Sequence, residues 1–313
     1  MIGLLIVPLL LPWLLPPLAR RTAARVRPEA ALWTITAATL ALAVGVVACL
    51  GALLLPLALS IGPLAALAHL IQPLRAGPAF LTLGVSALSA GTVAVIAATV
   101  ARRGLSEARR LRSAHGDVAH LPAVGGLCVL RDSRPDAYAL PGGPRGRGRI
   151  VVTTGMLRSL EPREREALLA HERAHLAARH HLFLAAAQLA GWCHPALAAA
   201  VPQVSYAAER AADESAARAT GSRTLTAHAV GRAALAVTRG GERPGGSVLA
   251  AGAVTGPVPA RVRALLTQEP ARRVAPALLA MALLCAAAGA SSVAGAVWLH
   301  HGVEIAQGEA SAA

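Results

Sequence analysis

Two histidines and a glutamate near the middle of the chain have the spacing of a metal site. The run His171-Glu172-Arg173-Ala174-His175 places the histidines at positions i and i+4, on one helix face and about one turn apart. That separation suits two imidazoles that share a zinc ion at about 2.0–2.1 Å. Glu172 then lies where a carboxylate can act as general base towards a water that zinc activates. The pattern predicts one zinc ion per chain and hydrolytic chemistry.

Apolar residues surround this pattern. Ala167–Ala170 precede it and Leu176 follows it, so the predicted helix is buried on its other faces. Burying two histidines and a glutamate without partners costs free energy, and a purely structural helix gains nothing from doing so. The flanking residues therefore favour a metal site over a structural helix.

A catalytic zinc site needs a third protein ligand and an open fourth position. Glu209 is the best candidate, because it stands one helical turn before Asp213. Glu209 is then the third ligand, and Asp213 accepts the outer N–H of His171 and fixes its tautomer. The alternative is that both carboxylates are exposed on an ordinary helix. The remaining histidines in this part of the chain are interpreted as interfacial or core residues: His180, His181, His194 and His228.

The composition excludes several classes of protein. Only 15% of the 313 residues are charged and 55% are apolar, whereas soluble domains carry about 25% charged residues. All 30 basic residues are arginines, and the net charge is +14. Because these arginines lie beside uncharged stretches and accompany no nucleic-acid motif, they indicate anionic lipid and not direct nucleic-acid binding.

The chain has four cysteines, Cys49, Cys128, Cys193 and Cys285. They include no Cys-x-x-Cys pair, so neither a disulfide framework nor a thiolate zinc site is predicted.

Four apolar stretches are long enough to span a hydrocarbon core of about 30 Å. They are Met1–Ala19, Ala31–Leu55, Ala79–Ala101 and Pro276–Leu299. Between the second and third, residues 56–74 contain several prolines and are predicted to form a loop with a short interfacial or re-entrant helix. Arginines gather on one side of these stretches, which places residues 102–275 in the cytoplasm and both termini outside. We interpret the arginine clusters as topology signals and not as binding sites.

The predicted fold is a mostly α-helical membrane protein with about four transmembrane helices and an inserted α+β zincin-like domain. Residues 1–101 form an N-terminal membrane region with three spans, and residues 102–275 form the cytoplasm-facing zinc domain. Residues 276–299 are the last span, and residues 300–313 are a short extracytoplasmic tail. The expected location is the cell membrane, crossed several times.

The zinc domain shows its own pattern of elements. A basic amphipathic helix is predicted over Gly104–Ser113, and Val- and Ile-rich strands over Leu127–Arg131 and Arg149–Thr153. The glycine-rich stretch Pro141–Gly148 is predicted to be a loop, and Pro162 opens the zinc helix. Residues 150–153 are either an ordinary sheet strand or an edge strand that pairs with substrate.

The uncharged segment Leu182–Ala208 is long enough to cross a membrane. A single crossing would put His175 and Glu209 on opposite sides, where they could not share a zinc ion. We therefore expect a hairpin or a buried helix that returns, with a break near Trp192–Pro195.

The sequence ALLAHERAHL at residues 167–176 and ERAAD at residues 209–213 resemble the BlaR/MecR-like membrane gluzincins. The stretches AYALPG and RIVVTTG, which begin at residues 137 and 149, also resemble the related HtpX-like peptidases. The resemblance covers about residues 135–235. It implies a zinc domain set between transmembrane helices and a protein substrate at the membrane, such as a cytoplasmic transcriptional repressor. About fourteen residues follow Leu299, so we expect no extracytoplasmic ligand-sensing domain.

The sequence thus predicts a zinc-dependent metalloendopeptidase of the membrane, with a protein substrate and the lipid bilayer as its partners. The first alternative is an HtpX-like quality-control protease that degrades damaged membrane proteins. The second is a catalytically inactive zinc-binding signalling protein, which the presence of Glu172 argues against because a structural site needs no general base.

Overall fold

The computed structural model describes residues 7–58, 79–142, 148–240 and 257–267, together with residues 279–284, 286–287 and 290. Helices make up most of this part of the chain, and one small sheet accompanies them. The helices are α1 Leu15–Arg25, α2 Pro28–Ala58, α3 Ala79–Ala119, α4 Thr154–Ser159, α5 Pro162–Ala177, α6 His180–Cys193, α7 Pro195–Ala198, α8 Val201–Thr220, α9 Arg223–Gly240 and α10 Val258–Leu266. The strands are β1 Leu127–Leu130, β2 Ala137–Leu140 and β3 Arg149–Thr153.

Two helices are long and apolar enough to cross a membrane. They cover Pro28–Leu54 in α2 and Leu83–Ala119 in α3, and no other helix within the described ranges meets both conditions. These two correspond to the second and third predicted spans. The fourth predicted span, Pro276–Leu299, lies largely outside the described residues, as do most of residues 56–74, the Pro141–Gly148 loop and the C-terminal tail.

The N-terminal segment and α3 differ from their predicted boundaries. A 3₁₀ turn over Leu11–Leu14 leads into α1, which continues past the arginines to Arg25. Because Ala19 and Thr22 are fully buried, α1 packs into the protein where the sequence had suggested a separate span over Met1–Ala19. The predicted domain boundary at residue 101 falls inside one continuous helix, since α3 runs on to Ala119.

The sheet has the order β1-β3-β2. Its central strand β3 is parallel to β1, with Cys128 opposite Val151, and antiparallel to β2, with Tyr138 opposite Val151. Both sides of β3 are therefore occupied by other strands, and the interpretation of residues 150–153 as an edge strand for substrate is wrong. The edge strand β2 packs against α5.

The segment between the predicted zinc ligands folds back on itself. Helix α6 ends at Cys193, His194 is extended, and α7 begins at Pro195. Gly191 permits this close return, because a Cβ there would lie 3.0 Å from the backbone of Ala198. Helix α8 then packs along α5, as the hairpin prediction requires.

A large apolar cluster joins α1, α2, α6, α7 and α8. It includes Leu15, Ile35, Leu42, Leu197 and Val204. A smaller cluster, with Val152, Met156 and Leu168, joins the sheet to α4, α5 and α9. Helix α5 belongs to the smaller cluster and α8 to the larger one, so the contact between these helices connects the two cores.

Candidate metal centre

The helix that carries His171 and His175 has a strongly defined start. Glu161 caps α5, since its side chain and that of Glu164 accept hydrogen bonds from each other's backbone N–H groups. Arg232 of α9 reaches both carboxylates, at 2.8 Å from Glu161 Oε1 and 3.0 Å from Glu164 Oε2. Pro162 occupies the first turn, where a missing N–H costs nothing. The cap and the arginine together fix the register of α5.

His171, His175 and Glu209 lie together in the interior, between α5 and α8. Their side chains offer one ligand atom each, and these atoms lie within 4.8 Å of one another. The two Nε2 atoms are 3.1 Å apart. Glu209 Oε2 is 3.5 Å from His171 Nε2, and Glu209 Oε1 is 3.5 Å from His175 Nε2.

These separations fit a tetrahedral metal. Ligands at about 2.0–2.2 Å from zinc in tetrahedral geometry are separated by roughly 3.3–3.5 Å. Two imidazole nitrogens and one carboxylate oxygen form the donor set of many catalytic zinc sites. The residues present can therefore hold zinc, with the ion bound between α5 and α8.

Asp213 supports His171 from the opposite side of the ring. Its Oδ1 lies 3.0 Å from His171 Nδ1, and both side chains are buried. Burial alone lowers the pKa of His171, but hydrogen bonds to Asp213 and Glu209 and their negative charges outweigh burial and raise it to about 10. Nδ1 can therefore donate to Asp213 while Nε2 faces the metal position.

A buried arginine completes the centre. Arg261 of α10 is fully buried, and its Nε and Nη2 donate to the two oxygens of Asp213 at 2.8 and 2.7 Å. Its Nη1 lies 2.8 Å from Glu209 Oε2. Burial alone raises the pKa of Asp213, but the hydrogen bonds and charge of Arg261 outweigh burial and hold it well below its usual range. Both acids are therefore kept ionised inside the protein.

Glu172 lies beside the histidines on α5 and is fully buried. Neither of its carboxylate oxygens has a hydrogen-bond partner in the described part of the chain. Burial, with smaller contributions from the charges of Glu209 and Asp136, raises the pKa of Glu172 to about 7 against the opposing effect of His171 and Arg261. A carboxyl group that titrates near neutrality can both take up and release a proton.

His180 contacts the second histidine. Arg179 adopts a left-handed conformation, φ 52°, which turns the chain between α5 and α6. This turn brings His180 Nδ1 to 3.0 Å from His175 Nδ1. If Nε2 of His175 were to bind a metal, its Nδ1–H could donate to His180, and Nδ1 of His171 faces Asp213 Oδ1 at 3.0 Å in a similar way.

The structure brings the predicted residues His171, Glu172, His175, Glu209 and Asp213 together. Sequence reasoning missed Arg261, which had been interpreted as a topology signal, and it gave His180 no role beside a ligand. A signal for Arg261 was present, because Arg261 and Arg263 fall on opposite faces of a short helix and one of them must face the core. The other noted histidine with a described contact, His194, caps α7.

The comparisons with known proteins agree with this geometry. The family model for peptidase family M48, a family of zinc metallopeptidases, matches residues 107–269, about half of the chain. All the residues of the centre fall inside the matched segment. No curated protein and no solved structure matches the chain.

Proposed function

Because this chain belongs to peptidase family M48, we propose that it is an integral-membrane zinc endopeptidase that hydrolyses protein substrates at the cytoplasmic membrane face. The observation that supports this most directly is the buried cluster of His171, His175 and Glu209 with Glu172 beside it. Helix α5 with its N-terminal cap and the buried Arg261 position a set of donor atoms that fits zinc. Glu172, next to them, has a carboxyl group suited to proton transfer.

Each residue of the metal centre has its own role in peptide hydrolysis. His171, His175 and Glu209 would hold the zinc ion, and a bound zinc would polarise the scissile carbonyl and lower the pKa of a water. Glu172 takes a proton from the attacking water and delivers it to the leaving amine nitrogen. Asp213 and His180 keep His171 and His175 in the tautomer that leaves Nε2 available, and Arg261 keeps Glu209 oriented and ionised.

Zinc content and peptidase activity of the full chain in detergent test this function. We expect one zinc per chain and cleavage of casein or of the chain itself. Glu172→Gln should keep zinc and lose activity, whereas Glu209→Ala should lose both. Glu166→Gln is the matched control, because Glu166 is an exposed carboxylate on the same helix. Wild-type protein that binds zinc without cleaving would support the inactive signalling protein instead.

For the substrate, we propose a single regulator, such as a transcriptional repressor, as in the BlaR/MecR-like gluzincins. This rests on the resemblance of residues 167–176 and 209–213 to that group. Comparing the proteome of cells that carry wild type or Glu172→Gln distinguishes the alternatives. One stabilised protein in the variant supports a regulator, and many stabilised membrane proteins support quality control.

We further propose that the chain crosses the membrane several times, with both termini outside. Helix α3 supports insertion, since large apolar side chains such as Leu88 (73% exposed) and Val95 (66%) face outwards from it. Labelling of single cysteines by a membrane-impermeant maleimide tests this in intact cells. A cysteine at Ser113 should be protected and one at His301 labelled. The reverse pattern would invert the proposed orientation.

A further inference from the structure

A basic cavity of about 790 Å³ lies beside the metal centre. The link between α1 and α2 forms one wall, and α8 with α10 forms another. On α8, Arg210 and Glu214 each follow a residue of the metal centre by one position. On α10, Arg263 faces the cavity while Arg261, two residues earlier, is buried against Asp213.

Positive charge dominates the lining of the basic cavity. It contains the glutamates Glu29 and Glu214 and six arginines: Arg25, Arg27, Arg210, Arg218, Arg223 and Arg263. Both glutamates are already engaged. Glu214 receives two hydrogen bonds from Arg223, one of them from Nη2 at 2.9 Å, and Glu29 pairs with Arg218 at 3.1 Å.

Three of the arginines have no carboxylate partner among the residues that the structure describes. Arg25, Arg27 and Arg263 have no ion pair within the part of the chain that the structure describes, and all three side chains are exposed. Guanidinium groups that converge without counter-charges repel one another, so an anion bound among them is stabilised. Arginine pairs with phosphate through two parallel N–H···O bonds.

The position of the cavity matches a source of phosphate. The first candidate span begins at Pro28, and Pro28 lines the cavity together with Arg25 and Arg27. The end of a span lies at the depth of the lipid headgroups. The volume also falls in the range of small-molecule sites, about 300–1,000 Å³.

We propose that the basic cavity binds a phosphate-bearing anion through Arg27 and Arg263, with Arg25 and Arg210 beside them. The phosphate comes from an anionic lipid headgroup or from a soluble phosphate. Its binding joins the α1–α2 link to α8 and α10, and therefore stabilises the elements that carry Glu209 and Arg261 independently of any peptidase activity.

Thermal unfolding of the full chain in a neutral detergent tests this proposal. One arm titrates sodium phosphate against sodium chloride at constant ionic strength. The other adds phosphatidylglycerol or phosphatidylcholine to the micelles. The double variant Arg27→Gln/Arg263→Gln removes two cavity arginines. Arg158→Gln/Arg239→Gln is the matched control, since it removes the same charge from two exposed arginines of α4 and α9 that lie outside the candidate spans and the cavity.

Phosphate or phosphatidylglycerol should raise the melting temperature of wild type, with an apparent affinity at least about tenfold weaker in the cavity variant. The control variant should stay within about twofold of wild type. A response to phosphate identifies a soluble ligand, and a response to phosphatidylglycerol alone identifies a headgroup. No response to either probe, or equal weakening in both variants, would overturn the proposal. Zinc content of each variant verifies that the metal centre is unchanged.

Discussion

Arg261 and Asp213 form a buried pair with two contacts, Nε to Oδ2 at 2.8 Å and Nη2 to Oδ1 at 2.7 Å. The third nitrogen of the same guanidinium lies 2.8 Å from Glu209. One residue of α10 thus neutralises two acids of α8: Glu209, which faces the candidate metal position, and Asp213, which contacts the outer nitrogen of His171. The same side chain therefore links the packing of α10 on α8 to the candidate metal ligand Glu209.

Replacing Arg261 should destabilise the protein and weaken zinc binding. Arg261→Met leaves Asp213 and Glu209 as buried carboxylates without their cation, and breaking a buried pair costs about 3–5 kcal/mol. We expect a melting temperature lower by on the order of 10 °C and a reduced zinc content. Arg261→Lys keeps the charge but not the two-contact geometry, so it should fall between Arg261→Met and wild type.

The control for Arg261 is Arg239→Met, because Arg239 is exposed near the end of α9. It should melt within about 1–2 °C of wild type. If Arg261→Met and Arg239→Met melt alike, Arg261 does not hold the centre together.

Asp213→Asn should weaken zinc binding without abolishing it. The amide cannot match the negative charge that keeps His171 in its required tautomer, and loss of such an outer partner costs about 10–100-fold in metal affinity. Competition with a chelator of known affinity measures the change, with Glu166→Gln as the control for a lost carboxylate on the surface. An unchanged affinity would show that Asp213 does not act on His171.

The parts of the site that follow local rules could be predicted from the sequence. The spacing of His171 and His175 follows from the helix period, and the return of Glu209 to these histidines was predicted from the hypothesis that the three residues share a metal. Arg261 could not be assigned in this way, because its partner Asp213 lies 48 positions earlier on another helix. Charge alone cannot tell a buried arginine from one at a membrane surface.

The fold was predictable to a similar degree. Strand β3 has its predicted bounds, Arg149–Thr153, because a Val- and Ile-rich run bounded by glycine is a local signal. Its central position is not local, since the order β1-β3-β2 depends on the crossover between β1 and β3. The continuity of α3 through residue 102 was also missed. The arginines there suggested a boundary, but arginine has a high helix propensity and does not end a helix.

The metal-free protein should lose stability as the pH falls below about 6.5. Burial lowers the pKa of His175 to about 3 and of His180 to about 4, so both are neutral in the folded state. A group whose pKa is lower in the folded than in the unfolded state stabilises the fold at pH values above its unfolded pKa. That stabilisation is lost as the pH falls towards the folded-state pKa. Glu172 acts in the opposite direction, since its raised pKa of about 7 favours the folded state as the pH falls, but one carboxyl group is outweighed by the two histidines. Melting temperatures of chelator-treated protein should therefore decline from pH 6.5 to 4.5.

His180→Asn removes one of the two histidines whose lowered pKa values cause this loss of stability. The melting temperature of the variant should decline less steeply between pH 6.5 and 4.5 than that of wild type. His228→Asn is the control, because it replaces a histidine that is exposed. Identical slopes for all three proteins would exclude the His175–His180 contact as the source of the acid sensitivity.

Zinc binding should release at least one proton at pH 8.5, the proton displaced from His171, and ionisation of a zinc-activated water adds to it. The pKa of His171 is raised to about 10 in the protein without metal, so its ring is mostly protonated there. The stabilisation of the fold that comes from this raised pKa is fully present below the ordinary pKa of histidine and is lost as the pH rises through about 10. Because a zinc ligand must be neutral at the bound nitrogen, the ion displaces the proton. Calorimetric titrations in buffers of different ionisation enthalpy count the protons.

The choice of pH 8.5 separates His171 from Glu172, whose pKa of about 7 leaves it ionised at that pH. Glu172→Gln should therefore still release the proton that zinc displaces from His171. Between pH 8.5 and 7, the zinc affinity of both proteins should fall as the pH falls, since the proton on His171 competes with the metal. Zinc binding without proton release at pH 8.5 would mean that His171 is neutral before the metal binds. In that case Asp213 and Glu209 do not hold a charged imidazole between them.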